Sequence, residues 1–400
     1  MDVNLEDYRW LTSDAATPWL ERAAEQPNVV QLAQTLRREF SAQRTHLVIE
    51  QAELRKRARE KFSNAEQLFF TRQSLEQATD ERIARWKGRR FAGHGQLADL
   101  CCGIGGDLMA LAGVSETTGV DLDPIVALLA AENCRRRGLA SATLEVRDVR
   151  EFDLATCGAW HLDPDRRSTG QRTTQLDRYE PPLDWIETQL QKNQNLALKL
   201  APATTVPDTL SREAELCWIG SRRECRQQVA WFGDLARSLG QRTVAIFIPQ
   251  ADEPALFSAD EKTMVEMADG IGPFVFEPHS AVLAAGLGDA LAAERELTKI
   301  CYEAPYYTGE FASEKQFPDP LLDAFEVREI LPLDIKKLNA ALASLEIGEL
   351  EIKKRGLDTT PEQLRKRLRF EGPNRATLLL VPTTPVQVIL ANRWAVSDRG

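Results

Sequence analysis

Four short stretches of the 400-residue chain combine residue types that do chemistry together. In DLCCGIGGD (99–107) an acid precedes a bare turn. Gly103 and Gly105 allow the positive φ values and the close backbone approach that a side chain would block. A dinucleotide fingerprint needs a third glycine where Leu108 stands, which argues against NAD or FAD. An acid followed by a bare turn suits a ligand with an ammonium group and a nucleoside but no pyrophosphate, and S-adenosylmethionine is such a ligand. On this reading Asp99 holds the ammonium. In GVDLDP (119–124) Asp121 is placed to accept from both ribose hydroxyls, while Asp123, just before Pro124, reads as a helix N-cap. Asp148, closing VRD (146–148), could accept from the adenine amino group. The fourth stretch, HLDPDRR (161–167), ends an apolar run with an acid, a rigid turn and two guanidinium groups. A sulfonium methyl needs a nucleophile held in line, and Asp163 or the Pro164 carbonyl can orient an incoming N–H.

These residues need elements that bring them together. From about residue 96 the pattern is strand, glycine turn, helix, repeated, with strand candidates QLADLCC, TTGVDLD, ATLEVRD, AWHLD, NLALKL and TVAIFI. Such alternation predicts an open, doubly wound, mostly parallel α/β sheet over 94–250, which binds ligands beyond the carboxyl ends of its strands. Residues 1–93 read as a helical domain, with Val30, Leu32, Leu36 and Phe40 spaced along one face. The basic end formed by Arg85, Lys87, Arg89 and Arg90 reads as a solvated helix terminus. Residues 265–400 read as an α+β module: a helix at AVLAAGLGDALAAERELTKI, then the strands FEVREILPL, ELEIKKRG, ATLLLVPT and VQVILANR around a helical TPEQLRKRLRF.

With DLCCGIGG as first motif and GVDLDP as second, the chain resembles the class I S-adenosylmethionine-dependent methyltransferases over roughly 96–250. The helical leader and the C-terminal IKKRGLDTTPEQLRKRLRF, followed by paired strands, look like the bacterial group that carries a THUMP-like domain. The resemblance implies a Rossmann-like fold and S-adenosylmethionine as cofactor, and points more loosely to nucleic acid. Asp163-Pro164 then lies where amino-methyltransferases place (D/N)-P-P-(F/Y), but the second proline is replaced by Asp165 and the aromatic by Arg166. Arg166 can lie flat on a base or grip a phosphate, with Arg167 expected as a second substrate contact; the alternative is that Asp163, Arg166 and Arg167 form an ion-pair network that shapes the loop. His161 reads as a core histidine and Lys199 as a strand-end lysine flanking the pocket. No cysteine sits where a 5-methylcytosine mechanism needs its nucleophile.

A net charge of −10 argues against indiscriminate nucleic-acid binding, but cations between Ile352 and Phe370 outnumber Asp358 and Glu362 by five. Lys353, Lys354, Arg365 and Arg367 are the expected RNA contacts, because charges more than about 10 Å apart are largely screened. The alternative is the polar face of an amphipathic helix. Seven cysteines without C-x-x-C and four scattered histidines indicate neither a zinc site nor a disulfide framework. The start is acidic and no apolar run can span a bilayer, so a cytoplasmic location is expected. The expected function is S-adenosylmethionine-dependent methylation of RNA at a base amino or ring nitrogen. The rivals are an RNA-binding protein with a vestigial pocket and a small-molecule methyltransferase. Oligomeric state is not legible.

Overall fold

The computed structural model describes residues 4–26, 28–166, 173–249, 251–259, 263–310, 319–357 and 360–394. They form two compact units, one of Met1–Glu215 with Gln228–Gly240, the other of Leu216–Gln227 with Gln241–Gly400.

The first unit opens with six helices: α1 Leu5–Thr12, α2 Thr17–Glu25, α3 Val29–Glu39, α4 Ala42–Ala58, α5 Arg72–Gln77 and α6 Glu81–Gly88. Several starts are fixed by side-chain caps, from Asn4, Asn28, Ser41 and Asp80 and from a Thr71–Ser74 capping box. Leu32, Leu36, Leu47, Phe69 and Phe70 are buried in one core, where each large apolar side chain gains about 1.5–3 kcal/mol relative to exposure. Val30 departs from the expected face and lies exposed.

The strands β1 Leu97–Leu100, β2 Thr117–Asp121, β3 Ala142–Val146, β4 Ala159–Leu162 and β5 Leu196–Leu200 alternate with α7 Leu108–Ala112, α8 Pro124–Arg136 and α9 Leu183–Lys192. Their order is β3-β2-β1-β4-β5, all parallel. The chain winds outward to β3 and then returns to the other side of β1. That reversal separates the crossover helices and opens a crevice beyond the ends of β1 and β4. The fully buried Asn133 of α8 braces it, with Oδ1 accepting from the Phe69 N–H at 2.8 Å and Nδ2 donating to the carbonyls of Phe69 and Ile104.

Past the short α10, Asp208–Ser211, come two strands absent from the sequence reading, β6 Ala214–Ser221 and β7 Glu224–Phe232. Arg226, Gln227 and Gln228 interrupt the apolar pattern that marks the other strands. Each strand is divided between the units, and the end of β7 pairs antiparallel with β5.

In the second unit β8 Arg242–Phe247 pairs parallel with β6 and antiparallel with β9 Ala255–Ala259. A separate seven-stranded sheet follows: β10 Phe274–Pro278, β11 Thr298–Lys299, β12 Tyr307–Gly309, β13 Leu322–Pro332, β14 Ile347–Lys354, β15 Asn374–Val381 and β16 Gln387–Arg393, in the order β11-β12-β10-β13-β16-β15-β14. The single helix expected over AVLAAGLGDALAAERELTKI is two, α11 Ser280–Ala284 and α12 Gly288–Glu294, because Gly286 between them takes φ 71°. Leu338 and Leu342 of α13 Ile335–Ser344, with Leu364 of α14 Pro361–Arg365, pack on Leu378, Leu380 and Leu390.

Candidate functional site

The crevice holds a cavity of about 710 Å³, lined from the parallel sheet by Cys101, Gly103, Asp107, Asp121, Leu122, Asp148, Val149, Asp163, Pro164, Asp165, Arg166 and Lys199. The helical segment adds Tyr8, Gln73, Gln77 and Thr79. The volume falls in the range of small-molecule sites.

The glycine turn begins with strain, since Cys101 takes φ 57° without being glycine. Burial and the nearby Asp121 and Asp163 push its thiol well above the ordinary value, so it stays protonated. Gly103, at φ 57°, meets no atom within 4 Å of a would-be Cβ, so a side chain there would fill the cavity. Asp121 stitches the turn to the end of β2, its Oδ2 accepting from the Gly103 N–H at 2.9 Å and its Oδ1 from the Asp123 N–H at 3.0 Å. Burial raises its pKa, partly offset by those bonds. Asp123 caps α8, accepting from the Ile125 and Val126 N–H groups. Leu122, 69% exposed, and Val149 give this end apolar walls. The open backbone at Gly103, the Asp121 carboxylate and these walls fit an amino acid joined to a nucleoside, as S-adenosylmethionine is. Gly105, at φ 86°, turns the chain toward α7 with its would-be Cβ against Ala130 at 3.5 Å. Asp148 lines the wall, but both its oxygens are engaged by Arg150, which also lowers its pKa.

Asp99 does not face the cavity, contrary to expectation. It lies 1% exposed within a strand buried at every position and pairs across the sheet with His161. Its Oδ1 is 2.7 Å from His161 Nδ1, and its Oδ2 is buried without a partner. Burial raises its pKa, against the pull of His161.

His161 is a core residue, as expected, but it belongs to a charged network beneath the cavity. Lys87 Nζ reaches His161 Nε2 at 3.3 Å and Asp107 Oδ1 at 2.7 Å, and the Thr79 hydroxyl donates to Asp107 Oδ2 at 2.6 Å. An ammonium only donates, so Nε2 accepts and Nδ1 carries the proton toward Asp99. Burial opposes ionisation of Asp107, yet Lys87, His161 and Lys199 together outweigh it and hold the carboxyl far below its ordinary value. The basic end of α6 is therefore solvated only at Arg85 and Arg89. Lys87 is 1% exposed, and Arg90 forms a bidentate pair with Glu215 at 2.7 and 2.9 Å. The signal was the four-residue spacing from Ile83, which puts Lys87 on the apolar face.

At the end of β4, Asp163 Oδ2 lies 2.6 Å from Lys199 Nζ. Sequence reasoning left Lys199 at the margin, but it is 7% exposed. Burial pulls its ammonium down, and Asp163 with Asp107 more than restores it, leaving its pKa raised. Pro164 and Arg166 line the same wall, and the loop is pinned by paired backbone bonds between Asp165 and Glu180. Arg167 lies outside the described residues.

In the second unit the expected RNA contacts part company. Lys353 and Arg355 are both ion-paired to Glu277, which is 3% exposed. Lys354 donates to the Leu357 carbonyl, and Arg365 to that of Leu350 while also stacking on Phe370. The first two are thus structural, drawn inward by a buried acid and an open carbonyl. Arg367 is exposed and shares a groove with Lys336 and Gln363. Among the described residues no helix is long and apolar enough to cross a membrane.

Residues 322–393 match the family model described as THUMP domain-like. In two strains of Mycobacterium tuberculosis, a protein described as an uncharacterized S-adenosylmethionine-dependent methyltransferase is 30% identical over 318 residues, covering 76% of this chain and 82% of its own length. The crystal structure of a candidate methyltransferase from Porphyromonas gingivalis matches with a TM-score of 0.76 at 21% identity, covering 99% of this chain and 100% of that one, a likeness of fold.

Proposed function

The chain belongs to the S-adenosylmethionine-dependent methyltransferases, and on that premise we propose that it methylates RNA at a base nitrogen presented to Asp163. The cofactor is S-adenosylmethionine, held by the Gly103 turn, Asp121 and the apolar walls at Leu122 and Val149. Bound there, it supplies an electrophilic methyl carbon. The chain's own residues do the rest: Asp163 accepts the N–H of the incoming nitrogen and fixes its direction, Pro164 limits the loop, and Arg166 offers a planar face or a fork to the substrate.

The observation that carries this reading is the position of Asp163 and Pro164, on the wall of the same cavity as the glycine turn and at the end of the neighbouring strand. RNA is favoured by the THUMP domain-like match and by the exposed cations of that module, Arg367 with Lys336 and Lys366, and Arg365 at their border. Mass spectrometry of nucleosides from RNA of cells with and without the gene tests it. A methylated base that disappears with the gene, and reappears when purified protein acts on that RNA, is the expected result. Unchanged RNA, or transfer only to a small molecule, refutes it.

A further inference from the structure

Lys199 is set by the sheet itself. Leu162 of β4 pairs with Leu198 of β5, so the next residues, Asp163 and Lys199, come side by side where both strands end. The ammonium donates to Asp163 Oδ2 at 2.6 Å and reaches the Gln77 carbonyl at 3.4 Å. A lysine has three N–H bonds, so one remains. Asp163 likewise keeps Oδ1, and its side chain is 27% exposed against 8% for that of Lys199. Both residues line the cavity with Pro164 and Arg166.

We propose that Lys199 is a second substrate-contacting residue, and that Asp163 and Lys199 together present an acceptor beside a donor that reads an N–H with a lone pair next to it on the edge of a base. This rests on the RNA reading above. Five positions have that edge: the adenine amino group beside N1 or N7, the cytosine amino group beside N3, the guanine amino group beside N3, guanine N1–H beside O6, and uracil N3–H beside O4. Lys199 takes the lone pair and Asp163 takes the N–H.

The choice of acid fits nitrogen. A carboxylate is too weak a base to take the proton of a ribose hydroxyl, but a nitrogen that has gained a methyl group becomes a cation and sheds its proton readily. As the N–C bond forms, the electron pair of the broken C–S bond stays on sulfur, and the displaced proton goes to Asp163 Oδ1. The neighbouring groups preserve this division of labour. Asp107 and Asp163 keep Lys199 charged and donating, against the opposing pull of burial and of Arg166. The flat guanidinium of Arg166 suits a planar partner.

The test uses the full-length protein, RNA from cells lacking the gene, and labelled S-adenosylmethionine. The methyl group is expected on one of the five nitrogens named. A methyl on a ribose oxygen, a ring carbon or a ring nitrogen that carried no hydrogen overturns the inference while leaving RNA methylation standing. If no RNA is methylated, the reading beneath falls and this one with it. Next, the modified base is replaced in a synthetic RNA by an analogue that lacks or weakens the neighbouring acceptor and keeps the N–H: the deaza base for an amino position, the thiocarbonyl base for a ring N–H. Wild-type protein is expected to lose about tenfold or more in kcat/KM, the size of a charge-assisted hydrogen bond, whereas Lys199→Met treats natural and altered RNA alike. Lys199→Arg, which keeps the charge beside Asp163, is expected to retain part of the discrimination. Unchanged S-adenosylmethionine affinity reports that the variants fold. Full discrimination in folded Lys199→Met assigns Lys199 a structural role and overturns the inference.

Discussion

Both units place ion pairs on their sheets, but they close them differently. In the second, Glu277 is gripped by Lys353 and Arg355, and Arg393 is shared between Asp323 and Glu351, so charges satisfy one another along strands β10, β13, β14 and β16. In the first, the pairs sit at strand ends and are left incomplete: Asp163 and Lys199 each keep one hydrogen-bonding position, and Asp99 keeps a buried oxygen without a partner. Duplicated partners make a module tolerant of losing one. Single pairs beside a cavity make a site that is sensitive to every member, because a buried charge without its partner is far costlier than a missing surface contact.

The largest expected effect of that difference lies at Asp107. Asp107→Ala strands the Lys87 ammonium in the interior and is expected to cost about 3–5 kcal/mol in chemical denaturation. Lys353→Met, which leaves Arg355 on Glu277, should cost distinctly less. Equal losses would erase the contrast. Asp163→Ala is expected to slow single-turnover methyl transfer by about 10²-fold or more, the size of a positioned acid–base group, while calorimetry shows S-adenosylmethionine still bound. Asp121→Ala should weaken that binding by about 1–3 kcal/mol, the worth of charge-assisted hydrogen bonds.

Acid sharpens the comparison further. Asp107 has a native pKa depressed below the ordinary value of 3.8, so its pairing stabilises the fold fully above about pH 4 and is lost as pH falls through the lower native value. In Asp107→Asn this part of the acid sensitivity should vanish from urea titrations between about pH 5 and pH 2. The smallest effect is expected on RNA: replacing Arg367 and Lys366 by Ala should flatten the log–log salt dependence of affinity by about 0.7 per lost contact on single strands, and Lys353→Ala should leave that slope unchanged.

Much of this was legible in the sequence. Glycines and acids at strand ends are diagnostic residue types, so the turn at 103–105, Asp121 and the cap at Asp123 could be located from residue type and spacing alone. Alternating apolar patterns likewise marked β13 to β16. Burial of charge was not legible. In a run such as RWKGRR every cation looks alike by type; the spacing from Ile83 puts Lys87 on the apolar face, but only packing decides that its charge is buried and that Arg90 is interior while Arg85 stays outside. The same holds for Lys353, whose partner Glu277 is 76 residues away. Asp99 failed for a related reason: its place in the motif gives its strand position, but the histidine across the sheet decides where its oxygens go.

The path of the chain through β6 and β7 bears on how the protein comes to exist at all. The first unit is left at Glu215 and regained at Gln228, and its last contribution, Gln228–Gly240, supplies the strand that covers β5, where Val229 sits opposite Lys199. No single cut yields that unit intact. A fragment ending at 215 lacks its outer strand, and one ending at 240 carries with it a piece of the other unit. During synthesis the flank of β5 beside Lys199 stays bare until residue 232 has left the ribosome, after every residue lining the cavity has already emerged. Domains otherwise complete themselves in order of synthesis; here the N-terminal unit must wait, and that interval is when its exposed strand is open to a chaperone or to mispairing with another chain.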